Sequence, residues 1–443
     1  MAGVFQFKGG VHPLRRIEYG KTLTEDCAIT PCPVPDEVVI PLSQHIGAPS
    51  APIVKAGDKV DLGQKIAEAS GNVSVPCFAS VSGTVKAIEP RFVICGQAEM
   101  SIVIENDFED RPASGIGPAG TVESMSPAEL LERVRAAGIV GMGGAAFPTH
   151  VKLSPPPNKK IDTVIINGAE CEPYLTADYR VMLEHPQRVV TGLKAVMKIL
   201  GAQNACIAME DNKPEAAEVL RRIAGPDVRV VMLKVKYPQG AEKQLIYGVT
   251  GRRVPSGGLP MDVGVVVVNA GTARQIALAV EQGVPLYERV VTVTGSVAKP
   301  CNMLVRIGTP IEKVFEAAGG FTGDISEVLA GGPMMGIAMC DLRAPVVKGT
   351  SGLLALDAKV AHMREPSVCI RCGRCVAGCP MGLSPYLVSA YADAGRFDDA
   401  EKHRAMDCIE CGCCTYSCPA GRHMVQSIRL AKAEITKARR KKA

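Results

Sequence analysis

Residues 369–380 read Cys369-Ile-Arg-Cys372-Gly-Arg-Cys375-Val-Ala-Gly-Cys379-Pro380, and residues 408–419 read Cys408-Ile-Glu-Cys411-Gly-Cys-Cys414-Thr-Tyr-Ser-Cys418-Pro419. Each run sets cysteines at two-residue gaps and adds a last one, beside proline, after a three-residue gap. A cubane [4Fe-4S] cluster takes four thiolates, and in two-cluster arrangements the last cysteine of a run serves the other cluster. One cluster is therefore expected on Cys369, Cys372, Cys375 and Cys418, and the second on Cys408, Cys411, Cys414 and Cys379. Zinc favours paired Cys-x2-4-Cys knuckles that close a tetrahedron, a spacing these runs do not follow. Cys413 also falls inside the second run, but using it would leave a one-residue gap after Cys411, so it is read as a non-ligand. Gly373, Gly378 and Gly412 let the backbone wrap closely and turn its amides toward the sulfurs. The spacer from about Leu383 to Arg404 is expected to be helical and to hold both runs in one unit.

The rest of the chain must supply something for such a unit to exchange electrons with. At 443 residues, 47% hydrophobic and 21% charged, it is long enough for several ordinary globular cores. The net charge of +5 gathers in the last dozen residues, so the near-neutral body excludes a nucleic-acid binder. The basic end, Lys437-Ala-Arg-Arg-Lys-Lys442, reads as a solvated helix end or as a contact for an acidic partner or anionic lipid. Seventeen cysteines and no apolar leader point to a reducing compartment, with cytoplasm expected. No stretch reaches the ~18 apolar residues of a membrane span, so any work at a membrane would come through docking to partners. Cys27, Cys32, Cys77, Cys95, Cys171, Cys206, Cys301, Cys340 and Cys413 show no metal spacing and are expected to be small buried residues.

From about Pro35 to Glu105, short β-branched runs alternate with glycine turns, which predicts a small all-β barrel or sandwich. Its Lys-Ala-Gly-Asp-Lys-Val and Val-Ser-Gly-Thr-Val phrases resemble biotinyl or lipoyl carrier domains. Lys65 falls too early for a modified hairpin tip, so no swinging arm is expected. A Pro-, Gly- and Ser-rich linker, Arg111 to Gly120, leads to Ser126-Pro127-Ala-Glu129, an N-cap, first-turn proline and capping-box glutamate that open a helix. Strand-like and helix-like segments then alternate from Thr163 to Gln282, and their continuous apolar strands predict a parallel sheet covered on both faces. Ligands of such sheets bind beyond the strands' carboxyl ends. From Leu286 to about Cys340 a small α+β module is expected, and the cluster unit begins near Ser367.

Between the capped helix and the first sheet strand lies Gly141-Met-Gly143-Gly144-Ala-Ala-Phe147-Pro-Thr-His-Val-Lys152. Closely spaced glycines let backbone amides approach an anion, and Lys152 adds a full charge, a combination that suits phosphate. The run follows a helix rather than a strand, which departs from the ordinary dinucleotide fingerprint. A second segment, Asn167-Gly-Ala-Glu170-Cys-Glu172-Pro-Tyr174, sits where the first sheet strand is expected to end.

On these segments, residues 138–279 resemble the flavin- and NADH-binding subunit of respiratory complex I. The whole chain resembles the C subunits of Rnf-type ion-translocating ferredoxin:NAD oxidoreductases. That likeness also rests on Phe7-Lys-Gly-Gly-Val-His-Pro13, on Tyr237-Pro-Gln-Gly-Ala-Glu-Lys-Gln-Leu-Ile-Tyr247, on Val254-Pro-Ser-Gly-Gly-Leu-Pro260 and on the double cysteine run. It implies a multidomain α/β and α+β chain. A barrel-sandwich hybrid would occupy residues 1–110, a Rossmann-like FMN/NADH α/β domain 121–283 and an SLBB β-grasp domain 284–345. A ferredoxin-like two-cluster helical domain, 360–430, and a basic tail, 431–443, would follow. The resemblance places FMN phosphate on the amides of Gly141, Gly143 and Gly144 near Lys152, makes Asn167, Asn269 and Thr272 polar flavin contacts, and sets Gly240 and Glu242 along the isoalloxazine. Phe147 would stack on the nicotinamide nucleotide, Glu172 would meet NADH hydroxyls, and Glu170 is a further cofactor-binding candidate. Ala169 stands where the complex I phrase has Asp, and Pro155 near the place of a second stacking aromatic; both departures bear on the NADH pose.

The two sites account for each other. NADH delivers an electron pair and a cluster takes one electron, so a flavin is needed between them. The expected function is hydride exchange between NAD(H) and FMN and single-electron transfer through two [4Fe-4S] clusters, with no catalytic acid or base. The expected setting is the cytoplasmic face of a membrane complex whose other subunits, including a ferredoxin-like iron–sulfur subunit, are the partners. The alternatives are a cobalamin reductase of a microcompartment and a non-catalytic cluster relay.

Overall fold

The computed structural model describes residues 4–12, 20–94, 96–361 and 365–442; Cys95, Pro13 and Ala443 lie outside them. Antiparallel strands Glu37–Pro41, Ala98–Asn106, Gly83–Phe92 and Lys59–Val60 form one sheet, and Ala51–Pro52, Lys65–Glu68 and Cys77–Phe78 form another. The sheets close over Ile40, Ile66, Val85, Ile102 and Ile104, the inward side of the alternating runs. Lys65 lies on a strand with its ammonium on Glu68, away from any hairpin tip.

The capping box is formed: Ser126 Oγ accepts from Glu129 N, and Glu129 Oε2 accepts from Ser126 N at 2.7 Å, opening helix Pro127–Ala136. Beyond it stands a parallel sheet in the order Val228–Leu233, Asn204–Glu210, Thr163–Gly168, Val265–Asn269. Side chains alternate between two cores. Val164, Ile166, Ile207 and Val268 face the layer holding helices Pro186–Leu200 and Ala270–Gln282, while Ile165, Cys206 and Val267 face helix Glu242–Thr250. This double burial explains why the strands read as continuous apolar runs. Chain order reverses beside Thr163–Gly168, whose later neighbour, Val265–Asn269, comes in on the opposite side from Asn204–Glu210. The crevice between Thr163–Gly168 and Val265–Asn269 is therefore the topological switch point.

The third sheet runs Ile29–Pro31, Cys301–Arg306, Glu288–Gly295, Gly352–Asp357, Ile325–Ala330, Ile337–Ala338. It extends the expected 284–345 unit at both ends. Gly352–Asp357 fills the middle of the sheet, parallel to Glu288–Gly295, and Ile29–Pro31 joins the edge from within the stretch assigned to the barrel. Neither shows by local pattern, because each pairs with residues far away in the chain. Helix Ala177–Glu184 was likewise unmarked.

In the last unit, the expected helical spacer is two helices, Pro385–Asp393 and Phe397–Lys402, separated at Gly395, whose φ of +68° is left-handed. Helix Met424–Lys442 packs across both through Ile428, Ala431 and Ile435 and carries the basic end.

Candidate functional site

Each half of the site is built by backbone first. The glycine loop returns on itself: Gly141 N donates to Phe147 O at 2.9 Å and Ala146 N to Gly141 O at 3.2 Å. The Gly141 amide, expected on phosphate, is thus used to close the loop. The amides of Gly143, Gly144 and Ala145 are exposed, and among the described residues they meet no acceptor. Gly144 has φ +110°, where a side chain is strained, and a Cβ there would point into open space. The loop tip therefore offers consecutive N–H groups without a protein acceptor, a donor set that fits a phosphate.

The loop is seated on the switch point. Asn269 and Asn167 are register partners at the ends of the two central strands. Asn269 caps helix Ala270–Gln282 by accepting from Thr272 N and donates to Asp178 Oδ2 at 2.6 Å, while Gly143 lies directly over its side chain. Thr272 Oγ1 accepts from Met142 N at 2.9 Å, so this residue holds the loop in place from the buried side. Arg289, 3% exposed, reaches in from the third sheet and donates to Met142 O at 3.1 Å and to Lys348 O. Burial lowers its guanidinium to about 10 despite the nearby Asp178, whose own carboxyl burial raises.

The second wall is the strip after the first strand. Asn167 Nδ2 donates to Gly240 O at 2.8 Å, and Gly240 N donates to Cys171 Sγ at 3.2 Å, pinning Gly240 from both sides. Lys152 donates to Glu242 Oε1 at 2.9 Å and to Val267 O at 3.1 Å, so its charge is shared with Glu242 across the crevice mouth. Phe147 stands half-buried at the loop's end. Glu170 turns away: its carboxylate accepts the amides of Asp178 and Tyr179 at a helix start and lies 4.0 Å from buried Lys21. Burial raises it to about 7. Glu172 accepts from Tyr237 Oη at 3.3 Å and Met334 N at 3.0 Å, and burial lifts it to about 7 as well. Both glutamates, expected at the cofactors, are committed to protein groups here.

The cysteine runs meet the strip. A small pocket is lined by Cys379, Cys408, Cys411 and Cys414, the cross-run set expected for one cluster, with Pro380, Leu383, Val388 and Ile428 among its apolar walls. Four thiols of the cross-run set converging on one pocket with apolar walls are a donor set that fits a [4Fe-4S] cube. Cys375 and Cys418 share a small core with Cys414, Met424 and Val425, while Cys372 is exposed and Cys369 half-exposed. Among the described residues, no three His, Cys, Asp or Glu side chains are placed to hold a single ion. Cys413 is fully buried, its thiol toward Tyr237 O.

Sequence reasoning missed how the halves join. Cys171 and Tyr237 of the flavin side pack in one cluster with Cys411 and Cys413. Gln244 Nε2 donates to Pro380 O, Ser256 Oγ to Asp407, and the opening segment threads between the halves: Val11 and Tyr237 exchange backbone hydrogen bonds, and Gly10 N donates to Gly378 O at 2.8 Å. A Cβ on Gly9, at φ +76°, would stand 2.5 Å from Cys379 O. The Gly9-Gly10 pair was the available signal.

Family models match in the same order as these units. The RnfC barrel sandwich hybrid domain covers residues 5–109, the Nuo51 FMN-binding domain 134–278, the SLBB domain 290–338 and a 4Fe-4S dicluster domain 361–419. Along its whole length the chain is 51% identical to the C subunit of the Na(+)-translocating ferredoxin:NAD(+) oxidoreductase complex of Acetobacterium woodii, covering 98% of both chains. It belongs to the Rnf C-subunit family. The same family holds the C subunit of the proton-translocating complex of Clostridium ljungdahlii, 49% identical over 97% of this chain and 93% of that one. It also holds the C subunit of the ion-translocating oxidoreductase complex of Rhodobacter capsulatus, 43% identical over 99% and 85%. As an Rnf C-type chain, the protein combines an FMN-binding domain with a two-cluster domain, and among its described residues no helix is long and apolar enough to cross a membrane.

Proposed function

We propose that this chain is the peripheral electron-transfer subunit of an Rnf-type ion-translocating ferredoxin:NAD+ oxidoreductase, seated on the cytoplasmic face of the membrane and partnered by the other subunits of that complex. When bound, FMN exchanges hydride with NAD(H) and releases electrons singly, and the [4Fe-4S] clusters carry one electron each. The residues divide the remaining work. Gly143, Gly144 and Ala145 offer amides to the FMN phosphate, with Lys152 nearby and tied to Glu242. Asn167 and Asn269 set the switch-point floor, Thr272 and Arg289 keep the loop down, and Gly240 lines the strip. Phe147, at the loop end, is the stacking face for the nicotinamide nucleotide. Cys369, Cys372, Cys375 and Cys418 are proposed to hold the exposed cluster, and Cys379, Cys408, Cys411 and Cys414 the enclosed one.

The observation that carries this reading is the shared buried wall of Cys171, Tyr237, Cys411 and Cys413, which packs the residue bonded to Gly240 N against a member of the second cysteine set. A packed contact shortens the path for single-electron transfer between two sites in one chain, and a merely structural glycine loop would not need it. Identity across the full length to subunits named for ion translocation supports the Rnf setting over a cobalamin reductase. Anaerobic purification followed by assay of flavin, iron, sulfide and NADH-driven reduction of an artificial acceptor tests it. About one FMN and ~8 irons per chain with NADH oxidation is the expected result. Iron without flavin, and no NADH oxidation after FMN is added, would leave only a cluster relay.

A further inference from the structure

The turn that carries Cys379 is held from the flavin side. Cys379 comes from the first cysteine run but lines the same pocket as Cys408, Cys411 and Cys414 of the second. Three contacts seat its turn. Gly10 N donates to Gly378 O at 2.8 Å, Gly9 lies against Cys379 O, and Gln244 Nε2 donates to Pro380 O at 3.2 Å. The same residues are tied to the flavin half. Val11 N donates to Tyr237 O and Tyr237 N to Val11 O, both at 2.8 Å. Lys236 Nζ donates to Phe7 O at 2.7 Å, and Phe5 N donates to Gly248 O at 3.0 Å. Residues 5–11 are therefore a strap with one edge on the flavin side and the other on the cysteine-run turn. Gln244 stands on helix Glu242–Thr250, which begins just after Gly240.

The residue types at these contacts serve closeness. Gly9 and Gly10 have φ of +76° and +81°, and a Cβ would stand 2.5 Å from Cys379 O at the first and 2.5 Å from Tyr237 O at the second. Only residues without side chains let one segment touch both halves at these two points. Gln244 is 5% exposed, and among the described residues its Oε1 meets no donor. A buried amide oxygen left unpaired is destabilising, and leucine would fill the same space without it. What glutamine supplies here is the N–H on Pro380 O. Adhesion alone would be met by apolar packing, whereas short backbone bonds and thin residues fix a distance.

We propose that the strap of residues 5–11, together with Gln244, holds the Cys379 turn at a set distance from the flavin-side strip, and that this distance governs how fast single electrons pass between the two halves. The proposal rests on the electron-transfer reading given above. Gly9, Gly10 and Gln244 are positioning residues: they act through the Cys379 turn.

The test mixes the full chain, loaded with FMN and iron, with NADH under anaerobic conditions. Oxidation of NADH to NAD+ releases an electron pair and a proton, enough to reduce each cluster by a single electron. Stopped-flow absorbance follows the flavin band, and freeze-quench electron paramagnetic resonance follows the clusters. In Gly9→Ala and in Gln244→Leu, FMN affinity, iron content and flavin reduction should stay within about twofold of the unaltered chain, while cluster reduction by NADH slows by about tenfold or more. Dithionite should still reduce the clusters fully in both variants. Hydrogen–deuterium exchange gives a readout apart from turnover: residues 9–11 and 378–381 should exchange faster in Gly9→Ala. A fall in melting temperature with cluster reduction at the unaltered rate is what a merely structural strap gives, and it overturns the proposal. Flavin reduction slowed in step with the clusters, or iron lost in Gln244→Leu, overturns it as well. Where Gly9→Ala costs iron, Gln244→Leu decides. An unaltered chain that holds flavin and iron but whose clusters take no electrons from NADH loses the electron-transfer reading itself, whatever the variants do.

Discussion

Asn167 Nδ2 donates to Gly240 O at 2.8 Å while Asn167 Oδ1 accepts from Ala169 N at 3.2 Å. One side chain at the end of the first sheet strand thereby fixes both the turn that follows it and the strip on the far side of the crevice. Asn167→Ala leaves a donor and an acceptor of the backbone unpaired, at a cost of about 1–3 kcal/mol. The expected outcome is a lower melting temperature for the flavin-free protein together with FMN affinity reduced by about tenfold or more. Thermal unfolding and equilibrium dialysis on the same preparation check it; an intact FMN affinity would remove Asn167 from the site.

Gly144 carries φ +110° with open space before its missing side chain. Gly144→Val therefore combines backbone strain of about 1–3 kcal/mol with a methyl pair placed where the phosphate is proposed to lie. FMN binding is expected to fall below detection while iron content stays near that of the unaltered chain, because the cysteine runs lie elsewhere in the fold. Absorbance at the flavin band against iron assay separates the two effects.

What could be read in the sequence was whatever depends on neighbours in the chain. The ligand spacing of Cys369 to Cys418, the capping box at Ser126 and Glu129, and the four parallel strands are local patterns, and each is present. What could not be read depends on distant partners. Lys21 reaches Glu170 at a sequence separation of 149, and Arg289 reaches Met142 at one of 147. Glu172 looked available as an acidic residue among prolines and glycines, yet the turn at Met334 occupies it. The Gly141 amide was indistinguishable from its neighbours until the loop was seen to close on Phe147. A glycine-rich phrase signals that backbone is needed close by, but it does not say which amide remains free.

The cysteine assignment separates two neighbouring residues. Cys379 and Cys413 both lie at the cavity that holds Cys408, Cys411 and Cys414, but only Cys379 keeps the repeated spacing. Cys379→Ser is expected to remove about half of the iron and sulfide, because one of the two cubanes loses one of its four thiolates. Cys413→Ser, a small change in a fully buried position, is expected to keep ~8 irons at a modest loss of stability. Iron and sulfide assay with electron paramagnetic resonance of the reduced proteins reads both. Loss of iron in Cys413→Ser, with none in Cys379→Ser, would reverse the assignment.

Lys348 joins three parts of the molecule with a single ammonium group. It is 1% exposed and donates to Pro76 O of the barrel at 2.8 Å and to Gly138 O, at the start of the glycine loop, at 2.9 Å. Its own amide meets Gln44 Oε1, and the Arg289 guanidinium donates to its carbonyl. Burial lowers its pKa from 10.5 to about 8. A depressed folded-state value means that the native chain favours the neutral amine. The resulting contribution to stability is complete above the unfolded value and is lost as pH falls through the folded one. Between about pH 8 and 10.5 the unfolded chain holds a proton that the native chain has released, so stability from this residue rises with pH by up to about 3 kcal/mol. Lys348→Met has no such proton to release. The melting temperature of the unaltered protein minus that of Lys348→Met should therefore climb from pH 8 to pH 10 and level off below pH 7.5. A difference that stays flat across that range would mean that the amine keeps its proton in the native chain and that the two carbonyls hold it as a cation.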